Sequence, residues 1–513
     1  MKQLTGLDAT FLYMETPTTY GHVNGLSIYR RPSDDFDPYA AVRAKFESMI
    51  GDLAPLRRRL VEVPLGLDHP WWIDDPQFDL DYHVRHMSLA PPGRDDQLAD
   101  QVCRIVARPM DRTRPLWEIY VIEGLPDGRW ATLFKGHHAA IDGANGVIVM
   151  TLMNDTDPDA PAPGPGAPWE PEPIPSDWEL LDRALRHLAT NPLKAVRTQM
   201  RIAREIAESA GITGVAPAIE QARGALKRLA APRDDGRSRV SLPSATAPPT
   251  PWNHTISRHR RFAMRSAPLD DIKALKTAVG GTVNDVVMAI CAGALRAYLL
   301  GHDALPDRPL RAMVPVSIRT GQEEDPWTNR VSALFVDLPT DVDDPLERVA
   351  RCSESMRRAK RVHDMVPAAS LVDLTQNASP ILAAAAMRLA SQVHLADRVA
   401  SPVNVVISNV PGPRQPLYFA GARLEHYIPV STITDAVGLN ITVHSYLDTL
   451  DFGLIACREL VPDLWDMVDL HLAEIDHLFG ATGTERPTPP VAEDPPAPRP
   501  VKRRPAKRRP AKR

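Results

Sequence analysis

His137-His138-Ala139-Ala140-Ile141-Asp142-Gly143 is the stretch of this 513-residue chain that decides its fold. Residues 130–134 (WATLF) before it predict a strand, and residues 147–150 (VIVM) after it predict the beginning of a helix. Imidazole titrates near neutral pH, so a histidine at a strand end can take a proton from one group and return it to another. The pattern is typical of a proton-transfer site, although an Asp-Gly before an apolar run is also typical of a helix N-cap.

Further segments resemble one protein family, and they follow that family's order along the chain. They are residues 4–12 (LTGLDATFL), 115–117 (PLW), 284–285 (ND) and 408–413 (SNVPGP). The histidine stretch itself resembles the HHxxxDG signature of the CoA-dependent acyltransferase superfamily, which includes chloramphenicol acetyltransferases and peptide-synthetase condensation domains. Together the segments are similar to the wax ester synthase/diacylglycerol acyltransferase family, and the resemblance extends from Leu4 to about Leu478.

The resemblance implies an α/β fold of two chloramphenicol-acetyltransferase-like mixed domains with the active-site tunnel between them. A chain of this length is also long for a single hydrophobic core. We expect an N-terminal acyltransferase domain over residues 1–160 and a proline-rich linker with a helical crossover over 161–250. A C-terminal acyltransferase-like domain over 251–481 and a basic Pro/Lys/Arg tail over 482–513 complete the predicted organisation.

Apolar spacing and turn residues predict several elements within these domains. Helical spacing covers residues 37–53 and 287–300, and Ser176 with Glu179 predicts a capping box at the beginning of another helix. Asp127-Gly128 predicts the turn of a hairpin. The predicted strands are residues 117–122, 130–135, 333–338, 404–408 and 439–444.

The reaction implied by the resemblance is transfer of a long-chain fatty acyl group from acyl-CoA to the hydroxyl of diacylglycerol or of a long-chain alcohol. His138 would be the general base that deprotonates the hydroxyl and then protonates the departing CoA thiolate. His137 would support the loop. Asp142, followed by Gly143, would fix the loop through an arginine. The candidate arginines are Arg57, Arg58, Arg59 and Arg319.

The other motifs supply candidate substrate-binding residues, and each has a structural alternative. The residues of the PLW motif would line the acceptor channel or pack in the core. Those of the ND motif would cap a helix, shape the CoA side of the tunnel, or both. Those of the SNVPGP segment would contact the oxyanion or the substrate. The candidates are Pro115, Leu116, Trp117, Asn284, Asp285, Ser408 and Asn409.

Two other functions compete with this reading. A condensation-type or polyketide-associated acyltransferase would use a carrier-protein thioester in place of acyl-CoA. A lipid-binding protein that has lost catalysis would be expected to have a damaged histidine motif, and here the motif is intact. The chain has no GxSxG elbow, which argues against a serine-hydrolase route.

The cysteines, Cys103, Cys291, Cys352 and Cys457, are scattered and form no CxxC pair. Neither a metal site nor a disulfide framework is expected, and a reducing cytoplasm fits this cysteine usage. We expect no cofactor apart from acyl-CoA as co-substrate. The N-terminal residues do not have the long apolar region of a signal peptide.

Charge and apolar patterning predict peripheral contact with lipid. Residues 499–513 carry nine Lys/Arg and no acid; without them the whole-chain net charge of −4 becomes −13 on residues 1–498. Frequent proline predicts a disordered tail, which would either attract anionic headgroups or be solvated without a specific partner. Residues 193–206 predict a basic amphipathic helix, which would either lie on a membrane or pack its apolar stripe on its own protein. The apolar run 283–300 contains Asn284, Asp285 and Arg296, so we expect no transmembrane span.

The expected location is therefore cytoplasmic, with peripheral association with the inner membrane or with lipid inclusions. The expected partners are long-chain acyl-CoA, diacylglycerol or a long-chain alcohol, and a membrane or lipid-droplet surface. Nucleic acid is not expected, because the chain outside the tail is acidic and has no nucleic-acid-binding motif.

Overall fold

The computed structural model describes residues 1–141, 149–162, 164, 166–190, 246–317, 331–364 and 388–487. Its α-helices are α1 (Gly6–Tyr13), α2 (Pro38–Met49), α3 (Ala54–Arg57), α4 (Leu80–His83), α5 (Asp95–Val106), α6 (Asp177–Thr190), α7 (Leu269–Ala278), α8 (Val283–Gly301), α9 (Pro345–Asp364) and α10 (Leu464–Thr482). Its strands are β1 (Lys2–Gln3), β2 (His22–Arg30), β3 (Arg58–Val61), β4 (Trp71–Asp74), β5 (Val84–Ser88), β6 (Trp117–Glu123), β7 (Arg129–His137), β8 (Arg260–Pro268), β9 (Leu310–Ser317), β10 (Val331–Leu338), β11 (Val405–Pro411), β12 (Tyr418–Phe419), β13 (Ala422–Val430), β14 (Leu439–Tyr446) and β15 (Thr449–Cys457).

The first large sheet carries the histidine motif at the end of β7. Its strand order is β12-β13-β2-β7-β6-β5. The predicted hairpin is confirmed: β6 and β7 are antiparallel, and the turn between them has positive φ at Asp127 (60°) and Gly128 (68°). Asp and Gly tolerate this left-handed conformation better than most residues. Strand β7 also pairs with β2, and this register places His22 opposite His137.

The second large sheet has the order β10-β9-β11-β14-β15-β8 and packs against α8, α9 and α10. The predicted buried helix is confirmed as α8, whose small residues Ala289, Ala292 and Gly293 let neighbouring elements approach closely. By length and composition alone, α8 is the one described helix that could cross a membrane. Because 72% of its apolar window is buried inside the protein, its place is the centre of this core. Both sheets mix parallel and antiparallel pairs, which confirms the predicted mixed α/β class.

A hydrophobic cluster between the two sheets joins the domains. Leu26 and Leu133 of the first sheet belong to the same buried cluster as Phe262 and Ile455 of the second. Helix α5 packs against β8 across this junction. The relative position of the domains is therefore maintained by buried apolar contacts, whose burial is the main favourable term in folding.

Strand β13 crosses from the second half of the chain into the first sheet. It pairs antiparallel with β2, and Val430 lies opposite Asn24. Gly25 leaves room for the phenol of Tyr427 at the crossing, because a Cβ atom there would overlap that ring. The sequence-based division places residues 418–430 with residues 251–481, whereas their hydrogen bonds place them in the sheet that carries His137.

A buried carboxylate on β15 anchors this crossing strand. Asp451 is fully buried and accepts hydrogen bonds from the backbone N–H of Tyr427 (3.2 Å) and from Nδ1 of His426 (3.0 Å). Ser266 on β8 also donates its hydroxyl to Asp451. Burial alone would lower the pKa of His426, but the hydrogen bond and the attraction to Asp451 outweigh it and raise the pKa. The protonated form of His426 is therefore favoured where the two sheets meet.

We expect His426→Gln to destabilise the protein more at pH 6 than at pH 9. The pKa of His426 is raised by folding, so its contribution is complete below the unfolded value of about 6.5 and is lost as the pH rises through the folded value. Thermal unfolding of the wild-type and variant proteins at both pH values measures the difference. The exposed His394 provides the matched control, His394→Gln. An equal loss of stability at both pH values would contradict a role for the charge.

A small sheet of order β1-β4-β3 supports α6. The predicted capping box is confirmed: the Ser176 N–H donates to Glu179 Oε2 (2.8 Å), and the Glu179 N–H donates to Ser176 Oγ (3.4 Å). Leu180 of α6 is buried against Val61 and Ile73 of the small sheet. One face of the helix is thereby fixed to the first domain.

Candidate active site

His138 follows the last residue of β7 and is partly exposed. Its backbone N–H donates to the carbonyl oxygen of Gly21 (2.7 Å), at the entrance to β2. Its imidazole stacks on the ring of Phe11 from α1, with the centroids 4.0 Å apart and the planes within 2° of parallel. Backbone and ring contacts together fix the position of this partly exposed histidine.

His137 has a different environment, because only 1% of it is exposed. Its Nδ1 accepts a hydrogen bond from the Ala139 N–H (3.0 Å), so in the neutral ring the proton resides on Nε2. Nε2 lies 3.2 Å from Oε1 of Glu15 and donates to it. Since both ring nitrogens are engaged within the protein, the geometry suits His137 for supporting the loop, as the sequence predicts.

Glu15 links the two histidines to the N-terminal loop. Its Oε1 also accepts from the Gly21 N–H (3.0 Å), and its Oε2 accepts from Nη2 of Arg112 (2.8 Å). Burial would raise the pKa of Glu15, but the hydrogen bonds from His137, Arg112 and Gly21 outweigh it and hold the pKa well below its usual range. The Glu15 carboxylate therefore accepts hydrogen bonds from His137 and from Gly21, and the Gly21 carbonyl accepts the His138 N–H.

Glu15, Gly21 and Phe11 are not among the site residues expected from the sequence. All three lie in or just after the N-terminal segment that resembles the family, and that position was the available signal. The distance along the chain hides the contact: Glu15 and His137 are 122 residues apart. Only the pairing of β2 with β7 brings them together.

Two more basic side chains lie on the same face of the sheet. Burial holds the pKa of His22 well below its usual range, so this ring is neutral beside His137. Lys135 is fully buried, and burial lowers its pKa to about 8. Its Nζ donates to the carbonyl oxygens of Ile105 (3.2 Å) and Arg108 (2.7 Å) at the end of α5. A cation at a helix C-terminus is favoured by the helix dipole, so Lys135 stabilises the contact between β7 and the end of α5.

The PLW motif supports the histidines from the core. Leu116 and Trp117 are at most 1% exposed, and the Leu116 carbonyl accepts the His137 N–H (3.0 Å). The indole of Trp117 stacks on Phe46 and His83, and its N–H donates to the Leu56 carbonyl (2.6 Å). Pro115 is also buried. The described contacts of the motif are therefore those of core packing, and an acceptor-channel role stays a prediction.

The structure brings the ND and SNVPGP motifs together. Asn409 on β11 donates its side-chain N–H to Oδ1 of Asn284 (3.5 Å), although the two residues are 125 positions apart. Asp285 forms a capping box with Thr282 at the beginning of α8. Helix capping was one of the two roles predicted for the ND motif. Ser408 and Asn409 are partly exposed on β11, and their contact with substrate stays a prediction.

The second domain also contacts the loop that holds His138. Thr432, just after β13, donates its hydroxyl to the Tyr20 carbonyl (2.6 Å), and Arg260 donates to the Thr18 carbonyl. Residues 18–21 are therefore held between His138 on one side and the second domain on the other.

Three of the arginines proposed to pair with Asp142 have acidic partners elsewhere. Arg57 and Arg58 contact Asp74 at 3.2 and 3.6 Å, and Arg59 contacts Asp75 at 3.9 Å. Asp142, Gly143 and Arg319 lie outside the described residues, so their pairing stays a prediction. Within the described ranges, no group of three or more His, Cys, Asp or Glu side chains could hold a metal ion.

Comparisons with known proteins identify a family. The profile of the wax ester synthase/diacylglycerol acyltransferase catalytic domain matches residues 4–287, and that of the C-terminal domain of the same family matches residues 327–478. A probable diacylglycerol O-acyltransferase of Mycobacterium tuberculosis is 37% identical over 464 residues, covering 89% of this chain and 94% of that protein. The O-acyltransferase WSD of Acinetobacter baylyi is 32% identical and covers 93% and 97%.

Solved structures agree with this assignment. The wax ester synthase/diacylglycerol acyltransferase of Marinobacter aquaeolei VT8 superposes with a TM-score of 0.64 at 31% identity, covering 94% of this chain and all of that one. The first condensation domain of the calcium-dependent antibiotic synthetase gives 0.52 at 14% identity over 94% and 96% of the two chains, a likeness of fold alone. The profiles of both family domains match this chain, and relatives match along nearly its whole length. The chain therefore belongs to the wax ester synthase/diacylglycerol acyltransferase family.

Proposed function

We propose that the protein transfers a long-chain fatty acyl group from acyl-CoA to the hydroxyl of diacylglycerol, and also to that of a long-chain alcohol. The observation that supports this most directly is the arrangement around His138. This partly exposed residue donates its backbone N–H to Gly21 and stacks its ring on Phe11, and it lies beside a histidine whose two ring nitrogens are both hydrogen-bonded. The names of relatives at 31–37% identity support the two acceptors, because they include a diacylglycerol O-acyltransferase and a wax ester synthase/diacylglycerol acyltransferase.

In the proposed mechanism His138 acts as general base. Its unprotonated ring nitrogen takes the hydroxyl proton of the acceptor as the oxygen attacks the thioester carbonyl. The tetrahedral intermediate then collapses, the C–S bond breaks, and the imidazolium returns the proton to the CoA thiolate. The products are an ester and free CoA, and no acyl-enzyme is formed. A base of this kind contributes about 10²–10⁴-fold, and positioning supplies much of the remainder.

Glu15 and His137 would serve this step by positioning. Glu15 is ionised and accepts from Gly21, whose carbonyl in turn accepts the His138 N–H. His137, the last residue of β7, donates to the same carboxylate and directly precedes His138. Residues 18–21 and the end of β7 are therefore connected through the carboxyl group of Glu15.

The two rival functions differ in donor or in chemistry. A carrier-protein thioester is the donor of condensation-type enzymes, but the likeness to their structures, at 14% identity, extends only to the fold. A lipid-binding protein without catalysis would not need the ordered contacts around His138. Acyl-CoA is therefore the donor that family membership favours.

Incubation of the purified protein with radiolabelled palmitoyl-CoA and either diolein or hexadecanol, followed by lipid separation, tests the function. We expect labelled triacylglycerol with the first acceptor and labelled wax ester with the second. A parallel reaction with a palmitoyl carrier-protein thioester should give neither. Product from the carrier thioester alone would replace this proposal with the condensation-type function, and no product from any donor would favour lipid binding.

Gly21→Ala should lower the rate of acyl transfer by about 10–100-fold, the scale on which misplacing a reacting group is felt. A Cβ atom there would lie 2.9 Å from the Phe11 carbonyl oxygen and 3.0 Å from Nε2 of His137, so the contacts that hold His138 must shift. Initial rates with palmitoyl-CoA and diolein measure the effect. Gly301→Ala is the control, because a Cβ there meets nothing within 4 Å. Equal rates for the two variants would contradict the role of Gly21.

We also propose that the protein works in the cytoplasm at the surface of the inner membrane or of lipid inclusions, and that the tail contributes to this. Deleting residues 499–513 should weaken binding to anionic vesicles at physiological salt, because nine cations are removed and the rest of the chain carries −13. Transfer to detergent-dispersed diolein should be unchanged. Vesicle flotation with and without the tail measures the effect, and unchanged flotation would remove the tail as an anchor.

A further inference from the structure

One peptide group in the loop before β2 is held by side chains at both of its polar atoms. It joins Tyr20 to Gly21. Its N–H donates to Oε1 of Glu15 (3.0 Å), and its carbonyl oxygen accepts the hydroxyl of Thr432 (2.6 Å). The N–H and the C=O of a planar trans peptide point in opposite directions, so the two side chains contact it from opposite sides. Rotation of this peptide plane would break one hydrogen bond or both.

The next peptide group makes the contact with His138. Its carbonyl oxygen, that of Gly21, accepts the backbone N–H of His138 (2.7 Å). A glycine restricts its own backbone less than any other residue, so the orientation of these two peptide groups has to come from their hydrogen bonds. Loss of the bond from Thr432 would therefore allow the acceptor of the His138 N–H to move.

Thr432 is itself fixed within the second domain. Its carbonyl oxygen accepts Nδ2 of Asn440 (3.2 Å), and Oδ1 of Asn440 accepts the hydroxyl of Thr442 (2.9 Å). Asn440 and Thr442 lie on β14 and are at most 5% exposed. The next residue, Ile433, belongs to the buried cluster between the two sheets. The hydroxyl of Thr432 therefore extends from a well-packed part of the second domain to a loop of the first.

The Thr432 hydroxyl has two carbonyl oxygens within reach. That of Tyr20 lies at 2.6 Å and that of Ile433 at 3.4 Å. Hydrogen bonds between oxygen atoms are typically about 2.5–3.0 Å long, and a hydroxyl has a single hydrogen to donate. The hydrogen is therefore directed to Tyr20, across the junction between the domains.

We propose that Thr432 is a positioning residue for acyl transfer, whose hydroxyl fixes the peptide group between Tyr20 and Gly21 and, through it, the backbone of His138. The inference rests on the proposed function for the reaction that it serves, and on the hydrogen bonds for the loop that it holds. Thr432 lies outside every sequence motif described above. The second domain would in this way complete the support of the base, and the base would be held correctly only while the two domains keep their present separation.

Replacing Thr432 by valine removes the hydroxyl and nearly keeps the shape of the side chain. With palmitoyl-CoA and diolein we expect kcat to fall by about tenfold, because small displacements of a reacting group are felt on this scale. KM should stay within about twofold, as expected when only the reacting geometry changes. Thr432→Ser keeps the hydroxyl and should restore most of the rate. The matched control is Thr449→Val: Thr449 is also partly exposed and donates its hydroxyl to the Tyr446 carbonyl (2.9 Å), so its rate should equal that of wild type.

A double-mutant cycle with His138→Ala tests whether Thr432 acts through the base. Adding Thr432→Val to His138→Ala should change the residual single-turnover rate by less than about twofold, because no imidazole is left to be misplaced. A full tenfold loss in that background would overturn the proposal. Equal rates of Thr432→Val and Thr449→Val, or a serine variant as slow as the valine variant, would also overturn it.

Hydrogen exchange separates this proposal from the function on which it rests. Peptides covering residues 16–22 and 135–141 should exchange faster in Thr432→Val than in wild type or in Thr449→Val, because local opening of the loop becomes easier. Absence of transfer by wild type would refute the function, and the exchange would still decide whether Thr432 holds the loop. Unchanged exchange in these peptides, or faster exchange throughout the protein, would refute the positioning role.

Discussion

Replacing His138 by alanine should reduce acyl transfer by about 10²-fold or more while the protein stays folded. The expected size follows from the contribution of a general base, about 10²–10⁴-fold. The fold should survive because His138 is partly exposed and is not one of the buried core side chains. Single-turnover rates with palmitoyl-CoA and diolein, together with a thermal melt, measure both quantities.

His137→Ala is the informative comparison. Its loss of rate should be smaller and should come with a lowered melting temperature, because the buried ring donates to Glu15 and accepts from Ala139. Glu15 would then keep its bonds to Gly21 and Arg112, which continue to hold the loop. More than about a tenth of wild-type turnover in His138→Ala would exclude it as the base. Equal losses in the two variants would contradict the division of roles.

The largest expected effect on stability comes from the second domain. Arg348 on α9 and Glu474 on α10 form an ion pair in which both side chains are 4% exposed. Gly293 of α8 makes room for it, since a Cβ there would overlap the Glu474 carboxylate. Arg348→Met leaves that carboxylate buried without its main partner, and breaking a buried pair in this way costs about 3–5 kcal/mol. Denaturant unfolding of the wild-type and variant proteins measures the loss.

The double variant Arg348→Met/Glu474→Leu provides the control. Replacing both charges by apolar groups of similar volume is often close to neutral, because neither group then has to be desolvated. We therefore expect the double variant to recover most of the lost stability. A double variant as unstable as Arg348→Met would show that the loss comes from packing rather than from the unpaired charge.

Local elements could be predicted from the sequence where a single cause determined them. The hairpin before the histidines depends on Asp127-Gly128 between two apolar runs, and the capping box depends on Ser176 and Glu179. Helix α8 was predictable because nearly every position is apolar. In each case the information lies within a few residues, so nothing distant had to be known.

Contacts over long distances could not be predicted in this way. The hydrogen bond of Asn409 with Asn284 depends on the packing of α8 against β11, and the bond of Glu15 with His137 depends on the pairing of β2 with β7. Apolar runs buried on both faces of a sheet look alike and do not specify their neighbours. The resemblance located the motifs along the chain, but it did not decide between a channel and a core position for Trp117, and it did not indicate that β13 pairs with β2.

The position of β13 late in the chain also affects when the first sheet can form during synthesis. Asn24 on β2 donates its side-chain N–H to the carbonyl of Val430 on β13, and these residues are 406 positions apart. At a synthesis rate of about 5–20 residues per second, β13 is synthesised roughly 20–80 s after β2. During that time one edge of the nascent sheet is open, and open edges invite pairing with other chains. The ribosome must therefore release most of the polypeptide before the first sheet closes, and a fragment ending at residue 287 would keep this edge open permanently.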